Sequence, residues 1–406
     1  MHWRSKLMHP TSPTPTGFRS LATPTHRGST VVFESPADIV DSWRQTEHGY
    51  SYGLYGTPTV LELGARIAEL EGAQHSFVVP GGQSAIVLVY LAYCRAGSHV
   101  LLPHSAYGPN RDLADGLLKN LSIEVEAYDP LIGSGIARLI RESTALVWTE
   151  SPGSITMEIQ DIPAIVAAAH TRHVPVALDN TYSAGVFFDA FAHGVDISMQ
   201  ALTKYVGGHS DLLLGTVSVG TREAYEAIGP VWKQLGLAVS PDDASLALRG
   251  LQTLGVRLER LEASTLEVAR WLSEQPAIET VLHPALPSCP GHDLWQRDFT
   301  GSSSVFSVVF RGSVSTARIE LFVNALKLFK IGFSWGGVHS LVMVYPDLKR
   351  PGQDFGGRLV RLNVGLEEAA DLIADLHAAL DVLGDGSKPP AIGPDQRSRA
   401  LFPSSR

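Results

Sequence analysis

Between residues 76 and 219 the chain alternates short apolar runs with helix-patterned stretches, and this alternation restricts the fold more than any other feature. The runs at 76–79, 99–103, 123–128, 145–149, 174–178, 197–202 and 212–219 have strand length and strand composition. Between them the spacing predicts helices over 85–96, 111–119 and 161–171. The last of these has Pro163 near its start, where a missing N–H costs little. Upstream, Thr57-Pro58-Thr59 opens a helix that keeps Leu61, Ala65, Ala68 and Leu70 on one face and stops at Glu71-Gly72. Strands alternating with helices imply an α/β fold with a large, doubly wound, mainly parallel sheet. In such sheets ligands bind beyond the carboxyl ends of the strands. Gly82, Tyr107, Ser151, Asp179 and Lys204 all fall at such ends.

The second half reads differently. A long helical stretch covers 243–274, with Leu246, Leu248, Leu251, Leu254, Leu258 and Leu261 on its apolar face and Arg249, Arg257 and Arg260 on its polar face. Strands at 304–310, 328–331, 341–345 and 359–364, with helices at 317–326 and 366–383, give a smaller α+β C-terminal domain. The expected division is an N-terminal arm over 1–56, a large domain over 57–250, a small domain over 251–384 and a disordered tail over 385–406. The arm begins rich in Pro, Thr and Ser, with residues 31–33 as a short anchoring strand. The stretch Tyr50-Ser51-Tyr52-Gly53-Leu54-Tyr55-Gly56 reads as an ordered loop, either a Tyr-rich turn or a ligand-facing one.

Composition removes several function classes. A formal net charge of −9 disfavours nucleic acid as a partner. No uncharged apolar run is long enough to span a membrane, and no signal peptide is evident. Cys94 and Cys289 form no disulfide framework or zinc spacing, which fits a reducing cytoplasm. His104, His170, His173 and His193 show no metal-ligand pattern, so no metal is expected.

Two short stretches carry the chemistry. Ala177-Leu178-Asp179 ends an apolar run in an acid, and Ala201-Leu202-Thr203-Lys204 ends another in a lysine. A pyridoxal phosphate (PLP) site needs both: a Lys to form the imine and an Asp to hold the pyridine nitrogen. Taken alone, each also fits a strand-end cap and a surface lysine. Pro80-Gly81-Gly82-Gln83-Ser84 feeds a helix N-terminus, which is either an anion site or a turn that needs glycine for geometry.

Longer motifs then narrow the reading. They include Tyr52-Gly53 with Gly56-Thr57, Ala106-Tyr107, Glu150-Ser151-Pro152-Gly153-Ser154-Ile155-Thr156-Met157-Glu158, Asp179-Asn180-Thr181 and Thr203-Lys204-Tyr205. Gly208-His209-Ser210-Asp211, Thr253-Leu254-Gly255-Val256-Arg257, Phe333-Ser334-Trp335-Gly336-Gly337 and Arg361-Leu362 continue the series. In this order and spacing the chain resembles the Cys/Met-metabolism PLP enzymes of fold type I.

The resemblance implies pyridoxal 5'-phosphate as cofactor, an amino-acid substrate, and β-elimination from L-cystathionine or a related cysteine S-conjugate. Homocysteine or another thiol, pyruvate and ammonia would be the products. Related chemistry in the same family includes γ-elimination, γ-replacement, cysteine or cystine desulfhydration, and biosynthetic C–S cleavage of a larger thioether. A non-catalytic regulatory protein on the same fold belongs to a different class. By the same resemblance Lys204 is the imine lysine and base, Asp179 the partner of the ring nitrogen, and Tyr107 a catalytic residue whose ring stacks on the cofactor and whose hydroxyl helps to move protons. Gly82, Gln83 and Thr203 hold the phosphate. Arg361 takes the substrate carboxylate, with Ser334 and Trp335 beside it, and His209 is structural. Tyr52 reaches the phosphate of a neighbouring subunit, which implies a homodimer or homotetramer. The family's phosphate-binding Arg is replaced here by Leu54, and a Ser by Ala201. Loss of that Arg contact weakens cofactor binding by roughly 1.5–3 kcal/mol unless another group replaces it.

Overall fold

The computed structural model describes residues 2–8, 17 and 20–384. The expected tail at 385–406 and most of the Pro/Thr/Ser-rich run lie outside the described residues. Seven strands form the larger sheet: β1 (His75–Val79), β2 (His99–Pro103), β3 (Glu124–Tyr128), β4 (Thr144–Glu150), β5 (Val176–Asp179), β6 (Ile197–Gln200) and β7 (Gly215–Val219). Their order is β1-β7-β6-β5-β4-β2-β3. β7 runs antiparallel to β1 and β6, and the other four pairings are parallel, so the sheet is mainly parallel as expected. Its central strands are buried along their whole length. Burial on both faces is why β2 and β5 carry runs of apolar residues, while β6 alternates and buries Ser198 and Gln200 as well.

The helix read over 85–96 starts earlier, at Gly82–Tyr93, with Gly81 as an N-cap that offers no side chain. The stretch read as a helix over 111–119 is a helix over Gly108–Leu113 followed by a wider π turn over Ala114–Leu118. The strand expected at 31–33 does not form. Val32 is 88% exposed, and the segment makes only the isolated bridge between Thr30 and Tyr52. An apolar triplet with no neighbouring edge to pair with has nothing to satisfy its ladder.

A single helix, Pro241–Ser273, runs 33 residues and passes without a break through position 250. Between 248 and 261 it packs Leu248, Leu251, Leu254, Leu258 and Leu261 against Leu63, Ile67 and Tyr205. Its second half packs Val268, Ala269 and Leu272 against Phe306 and Phe310 of the smaller sheet. That sheet contains β8 (Ile278–Leu282), β9 (Val305–Phe310), β10 (Lys330–Ile331), β11 (Leu341–Val344) and β14 (Leu359–Asn363) in the order β10-β11-β14-β9-β8. β12 (Lys349–Arg350) and β13 (Gln353–Asp354) form a separate hairpin. The helix Ala369–Gly384 closes the described chain.

Two residues of the long helix do not sit where its periodicity put them. Leu246 is exposed, and Arg257 is only 5% exposed. The reason is a close crossing: at Gly250 a Cβ would run into the carbonyl oxygen of Val206. The helix therefore meets backbone here on a second side. Arg257 fills the crossing, donating to the carbonyls of Tyr205 at 2.6 Å and Gly250 at 2.8 Å and to the Thr253 hydroxyl at 3.1 Å. Burial lowers its pKa to about 10. Replacing Arg257 with Met strands these buried carbonyls. The expected loss is roughly 2–4 kcal/mol of stability, read as a lower urea midpoint.

Candidate active site

A cleft of about 320 Å³ opens beyond the carboxyl ends of β4, β5 and β6. Gly82, Tyr107, Glu150, Asp179, Lys204 and Arg361 all line it. Parallel strands end at the same edge, so residues far apart in sequence arrive together.

Lys204 sits on the turn after β6. Its Nζ donates to Ser334 Oγ at 2.6 Å and lies 5.2 Å from the centre of the Trp335 ring. Burial, with the positive charge of Arg361, pulls its pKa down from 10.5 to about 8, and Asp179 opposes the shift. A lysine in this setting has a sizeable neutral, nucleophilic fraction near neutral pH. Asp179 ends β5, buried, with one carboxyl oxygen accepting the Thr181 N–H at 3.0 Å. Burial raises its pKa, while the hydrogen bonds from Thr181 and the charge of Lys204 act the other way. A buried acid held by so little positive charge is suited to a protonated ring nitrogen.

Gly82 and Gln83 open the helix Gly82–Tyr93, whose first N–H groups have no partner within the helix. A Cβ at Gly82 would lie 2.8 Å from that of Ala201, so glycine lets the helix start approach the lysine turn. The Gln83 side chain donates to the Pro109 carbonyl at 3.1 Å, which leaves its backbone as its contribution to an anion site. The Thr203 hydroxyl both donates to and accepts from the Leu214 backbone, at 3.2 and 3.1 Å, and is already paired.

Arg361 projects from β14, buried, and donates to the Ser334 carbonyl at 3.0 Å. Its guanidinium lies 5.6 Å from the centre of the Tyr345 ring. Ser334 therefore touches both the lysine and the arginine, and it does so in a left-handed backbone conformation with φ of 72°. The Tyr107 ring is 43% exposed at the mouth, and its backbone N–H donates to Glu150 at 2.7 Å. His209 donates from Nδ1 to the Gly207 carbonyl at 2.7 Å, away from the cleft.

Among the expected site residues, Ser334 meets the cleft through its bond to Lys204 without lining it, and Tyr52 stays outside. It is 48% exposed and lies on the N-terminal segment, bridged to Thr30. Glu150 and Arg257 were not singled out from the sequence. An acid at the end of the 145–149 run, like the one that ends 177–179, is the signal that points to Glu150.

The donor set fits pyridoxal phosphate: an amine for its aldehyde, a buried acid for its ring nitrogen, free helix N–H groups for its phosphate, and an aromatic ring at the mouth. Comparison with known proteins agrees. The family described as Cys/Met metabolism PLP-dependent enzyme matches residues 4–381. A cystathionine beta-lyase of Bordetella avium is 42% identical over 373 residues, covering 90% of this chain and 93% of its own length. The cystathionine beta-lyase MetC of Escherichia coli is 41% identical over 362 residues, 87% of this chain and 91% of its own. Among solved structures, cystathionine gamma synthase from Xanthomonas oryzae pv. oryzae matches with a TM-score of 0.87 at 28% identity, covering 95% of this chain and 99% of its own. The fold, the cleft and the sequence together show that the chain belongs to the Cys/Met metabolism PLP-dependent enzymes.

Proposed function

We propose that this chain is a PLP-dependent carbon–sulfur lyase that performs β-elimination on L-cystathionine or a related cysteine S-conjugate. One observation carries the reading: a lysine with a depressed pKa, a buried acid and a buried arginine share one cleft. The chain's 41% identity to a cystathionine beta-lyase over most of its length supports the choice within the family.

When bound, pyridoxal phosphate supplies an aldehyde that captures amines and a ring that accepts the electron pair left at Cα. Lys204 would hold it covalently. Once displaced by the substrate amine, the same side chain would take the Cα proton and return a proton to the departing sulfur. Its burial beside Arg361 favours the neutral form that this role requires. Asp179 would keep the ring nitrogen protonated. The N–H groups of Gly82 and Gln83 would hold the phosphate, with Thr203 beside them, and the Tyr107 ring would cover one face. Arg361 would take the substrate α-carboxylate with its planar fork, between Ser334 and Trp335. In the balance of the reaction the Cα–H and Cβ–S bonds break, the thiol leaves with a proton, and water replaces the amine to give pyruvate and ammonia.

The exposure of Tyr52 supports a role at the phosphate of a neighbouring copy, with a homodimer as the smallest complete unit and a homotetramer built from it. Leu54 packs against the core that contains Tyr55 and Trp232. It adds no charge on that side. Among the described residues no helix is long and apolar enough to cross a membrane, and Cys94 and Cys289 are both unpaired and buried. A cytoplasmic enzyme fits these features. The division at 57–250 and 251–384 is proposed with the long helix shared between the two parts.

The reading is tested by supplying cystathionine and separating the keto acids. Pyruvate is the expected product. 2-Oxobutyrate as the main product would move the chain to γ-elimination. Lys204→Ala is expected to lose both lyase activity and the visible band of bound cofactor.

The rate at which cofactor-free protein takes up PLP follows the neutral amine. It is expected to rise with pH and level off above about 8. A midpoint near that of an ordinary lysine would contradict the depressed pKa. Arg361→Leu should move this midpoint upward, because the arginine's charge is part of what disfavours the ammonium form.

Arg361→Lys keeps the charge but not the fork. It is expected to lower kcat/KM by roughly 10- to 100-fold, mostly through KM.

A further inference from the structure

We infer that Glu150 is a positioning residue: its carboxylate latches the backbone of Tyr107 across the crevice where the strand order of the large sheet reverses. The inference rests on the cofactor site proposed above and concerns how that site is held. In chain order, β3 lies on one side of β2, and β4 returns to the other side. The crevice between β2 and β4 is therefore the point where successive crossovers part to opposite sides. The ladder between these two strands runs only as far as Leu101 opposite Val147. Beyond it β2 ends in Pro103, which has no N–H to give, and the strands part.

Few bonds hold the far side of this gap together. The Tyr107 N–H donates to Glu150 Oε2 at 2.7 Å, and the Ser154 N–H donates to the Ser105 carbonyl at 2.8 Å. The Tyr107 side chain has no hydrogen-bond partner among the described residues, so the position of its ring follows from its backbone. Its carbonyl is used within the helix that follows, accepting from Asn110 at 3.0 Å and Arg111 at 3.2 Å. Glu150 thus fixes the one remaining backbone polar group of the residue.

An acid is a costly choice for this place. Glu150 lies directly opposite Asp179 in the β4–β5 register, and both are buried. Burial and the neighbouring carboxylate push the Glu150 pKa well up, against the Tyr107 N–H and the nearby Arg350. In either protonation state one carboxyl oxygen is left to accept the Tyr107 N–H, so the tether does not depend on the charge. Its length matters, because the acceptor must come from the end of β4 and reach the loop after β2.

The experiment compares Glu150→Leu, which removes the acceptor, with Glu150→Gln, which keeps an acceptor oxygen of similar reach. Amide hydrogen exchange over residues 104–111 is measured first, on cofactor-free protein, where the result does not depend on the proposed chemistry. Faster exchange in Glu150→Leu and near-native exchange in Glu150→Gln are expected. Unchanged exchange in Glu150→Leu overturns the latch.

On the holoenzyme, Glu150→Leu should weaken the visible circular dichroism of bound PLP. It should also lower kcat on the order of 10- to 100-fold with a much smaller change in KM, as a misplaced ring would. In a Tyr107→Ala background the same substitution should change the dichroism little. A full effect in that background overturns the proposal. If Glu150→Leu does not fold, Glu150→Asp replaces it: too short to reach, it should show the same fast exchange, and native exchange overturns the latch. A wild-type protein that shows no visible band with PLP sinks the cofactor reading, whatever the exchange data show.

Discussion

Parallel pairing of β4, β5 and β6 is the constraint on which the cleft depends. Parallel strands must all begin at one edge of the sheet and end at the other, with a crossover between each pair. Glu150, Asp179 and Lys204 are thereby delivered to one edge, and the loop after β2 brings Tyr107 to the same place. The antiparallel β7 does the opposite. Its chain leaves the edge, and its N-terminal Gly215 lies against the start of the helix Gly82–Tyr93. The tight seat of that helix on the sheet is what leaves its first N–H groups pointing outward as a possible anion cradle.

The electrostatics follow from the same arrangement. Three charged groups that each disfavour burial are brought within reach of one another, and none finds a full counter-ion. Arg361 depresses the Lys204 ammonium, and Asp179 partly restores it. Burial leaves Asp179 itself with a raised pKa. Such a cluster costs stability when empty. A ligand that brings a ring cation, an anionic phosphate and a carboxylate supplies the missing partners, which is the physical reason this cleft suits a PLP–amino-acid pair.

Much of this was legible in the sequence, because strand ends are marked by where apolar runs stop. Asp179, Lys204, Gly82 and Tyr107 could be read from that rule, and the place of Arg361 in the cleft from the family pattern. What could not be read depends on neighbours that sequence order does not name. Glu150 meets Tyr107 only because β4 pairs with β2 and not with β3. Arg257 reads as a solvent-facing residue among leucines until the 205–208 backbone is seen crossing the helix. Nor does the sequence show that the turn pairs the Thr203 hydroxyl with the Leu214 backbone. The triplet at 31–33 shows the converse: strand-like residues need an edge to pair with, and composition cannot supply one.

The helix Pro241–Ser273 spans roughly 50 Å at ~1.5 Å per residue. Its middle grips the lysine turn through Arg257, and its C-terminal end is packed into the sheet that bears Arg361. It acts as a ruler as well as a strut. Adding one residue near its middle would turn the far half by about 100°. Val268 and Leu272 would then face away from Phe306 and Phe310, and the arginine would be carried out of line with the lysine. Side chains along this helix can drift among apolar choices, but its residue count cannot. Insertions and deletions in relatives of this chain should therefore collect in the surface loops and leave the interval from 241 to 273 intact.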